Sequence, residues 1–163
     1  MTSAGYAHTA STSPKAAAAE LRAAMPGTYK LVLFFSSSNY DGAELAREMA
    51  RAFGGAPTLG CSTSGELTSG AMLKQTVVAM GLTSDVVSDV AVALAPAVNV
   101  PGSVSRALNH LAAHFNETPG TLDPERFVGL VLTDGLSVAE ESANEQLTPQ
   151  TNGSFVGGWV RGR

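Results

Sequence analysis

The sequence has few of the features that mark secreted, membrane or nucleic-acid-binding proteins. Cys61 is its single cysteine in 163 residues, so an internal disulfide is excluded and a reducing, cytoplasmic environment is expected. No apolar run reaches the ~20 residues of a transmembrane helix, and the N-terminus has no signal-peptide pattern. The ten Lys and Arg residues are scattered and the net charge is -4, which argues against a nucleic-acid-binding face. We therefore expect a cytoplasmic protein with neither a membrane nor a nucleic-acid partner.

The composition is that of a globular domain. Apolar residues make up 44% of the chain and charged residues 15%, enough to build a hydrophobic core. Residues 1–13 are rich in Ser, Thr and Ala, and we expect a flexible leader there. Residues 14–163 then form one predicted domain. Because the chain ends soon after Gly157-Gly158, we expect this domain to be incomplete at its C-terminal end.

The hydrophobic patterns predict an α/β fold, a mixed β-sheet with helices packed on it. Helices are predicted to begin at Pro14, at Asp41, after Gly102 and at Ser137. Central buried strands are predicted at Leu31–Phe35, Thr58–Cys61 and Phe127–Leu132, with a short last strand at Ser154–Val156. An antiparallel pair is predicted from Gln75–Leu82 and Val86–Val98, the second of which alternates bulky and small residues.

Three of the predicted strand ends are followed by polar loops, at 36–41, 60–66 and 133–137. Ligands of open α/β sheets collect at the carboxyl ends of strands, and two of these loops also precede helix N-termini, which favour anions. These loops therefore predict a site for a small polar ligand. Its candidate residues are Ser36, Ser37, Ser38, Asn39, Cys61, Ser62, Thr63, Ser64, Glu66 and Asp134. Glu66 and Asp134 are the expected charged anchors, and together they would suit a zwitterion.

No complete catalytic site is recognisable around these loops. The glycine spacing at Gly60–Gly65 is that of a P-loop, but Glu66 stands where the phosphate-binding Lys is required. Cys61 and Ser62 lack an evident histidine base, so we predict a non-enzyme and keep an enzyme using Cys61 or Ser62 as an alternative.

Two histidines have a spacing that could hold a metal ion. His110 and His114 are four residues apart on the third predicted helix, away from its apolar stripe. No third ligand is evident, so we expect both imidazoles to face solvent and predict no metal site.

Three segments together resemble the N-terminal domain of FIST proteins, a group of intracellular sensors. They are Leu31–Asp41, Leu59–Glu66 and Leu132–Ser137, and the string Gly-Cys-Ser-Thr-Ser-Gly-Glu in the second is the most specific. The resemblance implies a bacterial signal-transduction domain that binds a small molecule such as an amino acid. It also implies a partner, either a second FIST domain or a signalling protein such as a histidine kinase or chemotaxis receptor.

The resemblance leaves other functions open. Some FIST proteins are haem-containing nitric-oxide sensors, so haem is a cofactor alternative with His110 or His114 as its axial ligand. A dimerisation module without a ligand is a further alternative. The sequence departs from the family pattern after Gly158, where the usual continuation is missing.

Overall fold

The computed structural model describes residues 4–98, 100–134, 140–151 and 154–160, of which 134, 140 and 154–160 are described by their backbone only. These residues divide into two compact units, with the boundary between Val90 and Ala91. The first unit contains β1 Ala4–Thr9, α1 Pro14–Ala24, β2 Leu31–Ser37, α2 Gly42–Ala52, β3 Thr58–Thr63, β4 Glu66–Thr68, β5 Ala71–Leu73 and β6 Val77–Leu82. The second contains α3 Ser103–His114, β7 Val128–Asp134, α4 Glu140–Leu147 and β8 Ser154–Val160.

The first unit contains a four-stranded mixed sheet in the order β1-β6-β2-β3. β2 and β3 are parallel and α2 connects them, whereas β6 is antiparallel to both β1 and β2. β4 and β5 form a separate antiparallel hairpin. The predicted α/β fold, a mixed sheet with helices packed on it and an antiparallel pair, is therefore confirmed, although the pair is β4 and β5 and not the predicted segments.

Helices α1 and α2 pack together with one face of this sheet. The fully buried side chains of the cluster include Leu21, Leu45, Met49 and Val32. Both α1 and α2 begin at a capping side chain. Asp41 accepts a hydrogen bond from the backbone N–H of Glu44 at 2.8 Å, as its capping-box pattern predicts, and Ser13 caps α1 just before Pro14.

Two glycines let aromatic rings lie directly against the sheet. A Cβ at Gly60 would stand 2.5 Å from the ring of Phe34, and one at Gly81 would stand 2.4 Å from the ring of Tyr29. Both distances are shorter than van der Waals contact, so these rings can occupy their positions only beside residues without a side chain.

The predicted leader and one predicted strand differ from the structure. Ala4–Thr9, within the expected flexible leader, forms edge strand β1 and pairs along its whole length with β6. Residues 86–98, predicted as the antiparallel partner of Gln75–Leu82, are irregular. β6 already has β1 and β2 on its two edges, which leaves no edge for a third partner. Pro96, which lacks an N–H, and Ala97, with φ 52°, also disfavour a strand there.

The second unit contains a parallel pair, β7 and β8, and two helices. Its hydrophobic cluster consists of Val104, Leu108 and Leu147, with Val98 and Val131 packed against it. β8 continues four residues beyond the predicted strand at Ser154–Val156. The predicted helix start at Ser137 lies outside the described residues. The prediction of one domain over residues 14–163 stays a prediction. Within the described ranges, no helix is both long and apolar enough to cross a membrane.

Candidate functional site

The carboxyl ends of β2 and β3 lie side by side, as the polar loops predict. In the parallel register Ser36 lies opposite Ser62, and Ser37 lies opposite Thr63. Ser36 and Ser37 are buried, whereas Ser38 and Asn39 are exposed in the short turn before α2. The backbone N–H of Asn39 donates to the Ser37 hydroxyl at 3.4 Å. Two of the three predicted loops therefore meet at one edge of the sheet.

Ser62 and Thr63 were expected in a loop but form the last two residues of β3. The chain then turns through Ser64, which is exposed, and Glu66 begins the β4–β5 hairpin. Asp134 ends β7 in the second unit, and residues 135–139 lie outside the described part of the chain. That Asp134 lies beside the first two loops therefore stays a prediction.

Glu66 is the most unusual residue of this edge, because its carboxylate is buried with 1% of the residue exposed. Three donors surround it. The Thr63 hydroxyl donates to Oε1 at 2.8 Å, and Thr76 donates to Oε2 through its hydroxyl at 2.8 Å and its backbone N–H at 3.2 Å. The carboxylate therefore connects the end of β3 to the start of β6, which the sequence does not indicate.

The charges of Glu66 and of a second carboxylate, Glu20, both act on Tyr40. Burial raises the pKa of Tyr40, and the negative charges of Glu66 and then Glu20 raise it further. The Tyr40 hydroxyl donates to the backbone oxygen of Ser11, and Glu20 accepts a hydrogen bond from the Thr9 hydroxyl. We call Thr9, Glu20, Tyr40, Thr63, Glu66 and Thr76 the strand-end cluster.

Within the described part of the chain, the two carboxylates of the strand-end cluster form no ion pair, since neither Glu20 nor Glu66 is joined to a Lys, Arg or His side chain there. The donors around Glu66 are hydroxyl and amide groups, which carry no net charge. Such a pair of carboxylates attracts a ligand cation. Sequence reasoning missed Glu20, Tyr40, Thr9 and Thr76, because it did not predict β1 or the fold of the 63–76 segment.

Cys61 lies on β3 opposite Phe35 and is half-buried. Burial raises the pKa of its thiol to about 11. At neutral pH the group is therefore almost entirely the protonated thiol, which is a poor nucleophile. This argues against the alternative of an enzyme that uses Cys61.

His110 and His114 both lie on the exposed surface of α3, as predicted from their distance from its apolar stripe. The described residues contain no group of three His, Cys, Asp or Glu side chains that could hold a metal ion. His110 lines a cleft of about 310 Å³ in the second unit.

The comparisons with known proteins give one match. The sequence model of the FIST N domain family matches residues 30–162. No curated protein and no solved structure gives a significant match. The matched region contains β2, β3 and the Glu66 hairpin, and it extends through β8. The chain therefore belongs to the FIST N domain family, a family of sensory domains in signal transduction.

Proposed function

We propose that this sensory domain binds a small polar ligand that carries an ammonium group, such as an amino acid, at the strand-end cluster. The observation that supports the proposal is that the charges of two carboxylates, Glu20 and Glu66, both act on Tyr40, and that neither forms an ion pair in the described structure. An ammonium group would offset this negative charge and donate hydrogen bonds to the carboxylate and hydroxyl oxygens around it.

Within this site the exposed and the buried carboxylate have different roles. Glu20 is exposed on α1 and contacts the ligand ammonium directly, whereas Glu66 is buried and attracts the ammonium through its charge without contacting it. Ser38 and Asn39 are exposed in the turn before α2 and supply polar contacts for the carboxylate of a zwitterion. Ligand binding would then fix the turn before α2 against the Glu66 hairpin, and the difference between the ligand-free and ligand-bound forms would be the signal.

The remaining parts of the proposal follow from the family. A second FIST domain, a histidine kinase or a chemotaxis receptor would receive the signal in the cytoplasm. The unpaired Cys61 thiol is compatible with a reducing compartment.

A haem group fits this chain less well than a small ligand. His110 and His114 are exposed, and the cleft beside His110 has a volume of about 310 Å³. That volume lies at the lower end of the roughly 300–1,000 Å³ of small-molecule sites, and a tetrapyrrole is too large for it. We derive no role for haem from these residues.

A thermal-shift screen of free amino acids tests the proposal, with N-acetyl and amide derivatives of each hit. A ligand at tenfold excess over its Kd stabilises the fold by about 1.4 kcal/mol, which raises Tm by about 3–6 °C in a domain of this size. The N-acetyl derivative, which lacks the ammonium, is expected to lose the shift.

Two variants connect that shift to the site. Glu20→Gln removes the exposed charge and is expected to weaken binding about tenfold, because one charge-assisted hydrogen bond is lost. Glu145→Gln removes the same charge from the exposed surface of α4 and is expected to leave binding unchanged. Equal binding by the wild type and by Glu20→Gln, or equal shifts from the amine and its N-acetyl derivative, would contradict the proposal.

A further inference from the structure

The second unit contains a cleft that the strand-end cluster does not include. The cleft has a volume of about 310 Å³ and lies between α3 and the irregular segment before it. Its walls include Val92, Leu94, Pro96, Ser103, Arg106 and His110. A cleft of this volume holds a small organic molecule.

Hydrogen bonds hold the irregular wall of the cleft in place. Ser103, which is 3% exposed, donates its hydroxyl to the backbone oxygen of Pro96. The side-chain amide of Gln146 on α4 donates to the backbone oxygen of Val98 at 2.9 Å. The segment is therefore fixed to both helices of the unit, although it is neither helix nor strand.

The two polar side chains of the cleft lie on successive turns of α3. Arg106 and His110 are four residues apart on one face of α3. A guanidinium nitrogen of Arg106 lies close to Gly102 at the start of the helix, 3.4 Å from the position that a Cβ would take there. Within the part of the chain that the structure describes, Arg106 makes no ion pair. Its guanidinium fork is therefore available to a planar anion, and His110 can donate an N–H in either charge state.

The opposite wall of the cleft is apolar and exposed to water. Leu94 is 84% exposed and Val92 is 37% exposed, which are high values for large aliphatic side chains. Burying these surfaces under an apolar group of a ligand would be favourable. The cleft thus combines a cationic side with an apolar side.

We propose that this cleft binds a small monocarboxylate with an apolar body. The carboxylate lies against Arg106 and His110, and the apolar body covers Leu94 and Val92. A free ammonium on the ligand would be repelled by Arg106, so this ligand class differs from the one proposed for the strand-end cluster. The two proposals rest on different residues, and either can fail without the other.

Titration of the full chain with benzoate, followed by NMR chemical shifts and calorimetry, tests this site. Benzamide has the same shape without the charge, and inorganic phosphate has charge without an apolar body. We expect benzoate to shift the amides of residues 92–110 and to bind at least about tenfold more tightly than benzamide, because a charged bidentate contact is lost with the amide. Benzamide or phosphate binding as tightly as benzoate would overturn the assignment.

Variants separate this site from a general effect of charge. Arg106→Gln is expected to weaken benzoate binding about tenfold. Leu94→Ser is expected to weaken it several-fold, and because Leu94 is exposed, this change should not disturb folding. Arg47→Gln, at an exposed arginine of α2, is the matched control and should leave the Kd unchanged. Benzoate affinity that Arg106→Gln does not change, or benzoate shifts confined to residues outside 92–110, would refute the proposal.

Discussion

Replacing Glu66 by alanine is expected to lower the free energy of unfolding by about 3 kcal/mol, a figure that follows from its three hydrogen bonds. The hydroxyl and the N–H of Thr76, a residue that is 5% exposed, would both lose their acceptor. Each buried donor left unsatisfied costs about 1–3 kcal/mol, whereas the Thr63 hydroxyl is less buried and can bond to water. Removal of a buried charge offsets part of this cost.

The glutamine variant separates the hydrogen bonds from the charge. In Glu66→Gln the amide oxygen can accept both hydrogen bonds from Thr76, and the amide nitrogen can donate to the Thr63 hydroxyl. We therefore expect a smaller loss, about 1 kcal/mol. Glu145→Ala, which removes an exposed carboxylate from α4, should change stability by less than about 0.5 kcal/mol.

Urea unfolding followed by circular dichroism measures these free energies, and hydrogen exchange of the Thr76 amide reports the local effect. That amide should exchange faster in Glu66→Ala than in the wild type, because its acceptor is gone. The reasoning is refuted if Glu66→Ala and Glu145→Ala are equally stable, or if exchange at Thr76 is the same in both.

Three further predictions test other parts of the structure. The thiol of Cys61, with its pKa raised from 9.0 to about 11, should react with iodoacetamide at pH 7 about a hundredfold more slowly than in urea-unfolded chain, and equal rates would contradict its burial. Gly60→Ala should destabilise by about 1–3 kcal/mol in urea, because its Cβ meets the ring of Phe34, whereas Gly42→Ala, with open space around it, should be neutral or stabilising. The amides of β1 that bond to β6 should be protected from hydrogen exchange, and exchange at the rate of an unfolded peptide would restore the leader prediction.

Much of the sheet could be predicted because its central strands have a strong local signal. Leu31–Phe35 is continuously apolar, and Asp41 marks the start of α2, so the unit β2-α2-β3 follows from the sequence. β1 could not be predicted in this way. Its residues are small or polar, and Ala4–Thr9 becomes a strand because β6 offers an edge that is formed only in the folded chain. Residues 86–98 show the reverse case, since their alternation is that of a strand but no edge of β6 remains for them.

The candidate site was predicted in part for the same reason. Parallel strands bring their carboxyl ends together, so the meeting of Ser36 with Ser62 follows from the fold class. The burial of Glu66 does not, because its acceptor role depends on Thr76, ten residues further along the chain. The charges of Glu66 and Glu20 act on Tyr40 only because the folded chain brings these residues together, and no local pattern indicates this.

The place of β1 and α1 in the first unit has a consequence for how this family is delimited. The family match begins at residue 30, yet Ala17, Ala18, Leu21 and Met25 supply four of the eleven buried residues of the main hydrophobic cluster. A fragment that begins where sequence similarity begins would leave the inner faces of β2 and α2 uncovered and would turn β6 into an open edge, able to pair with another copy. Residues 4–25 are therefore expected to be needed for a stable sheet, because they cover its inner face and pair with the edge of β6. In this chain the family match therefore begins inside the folding unit and not at its first residue.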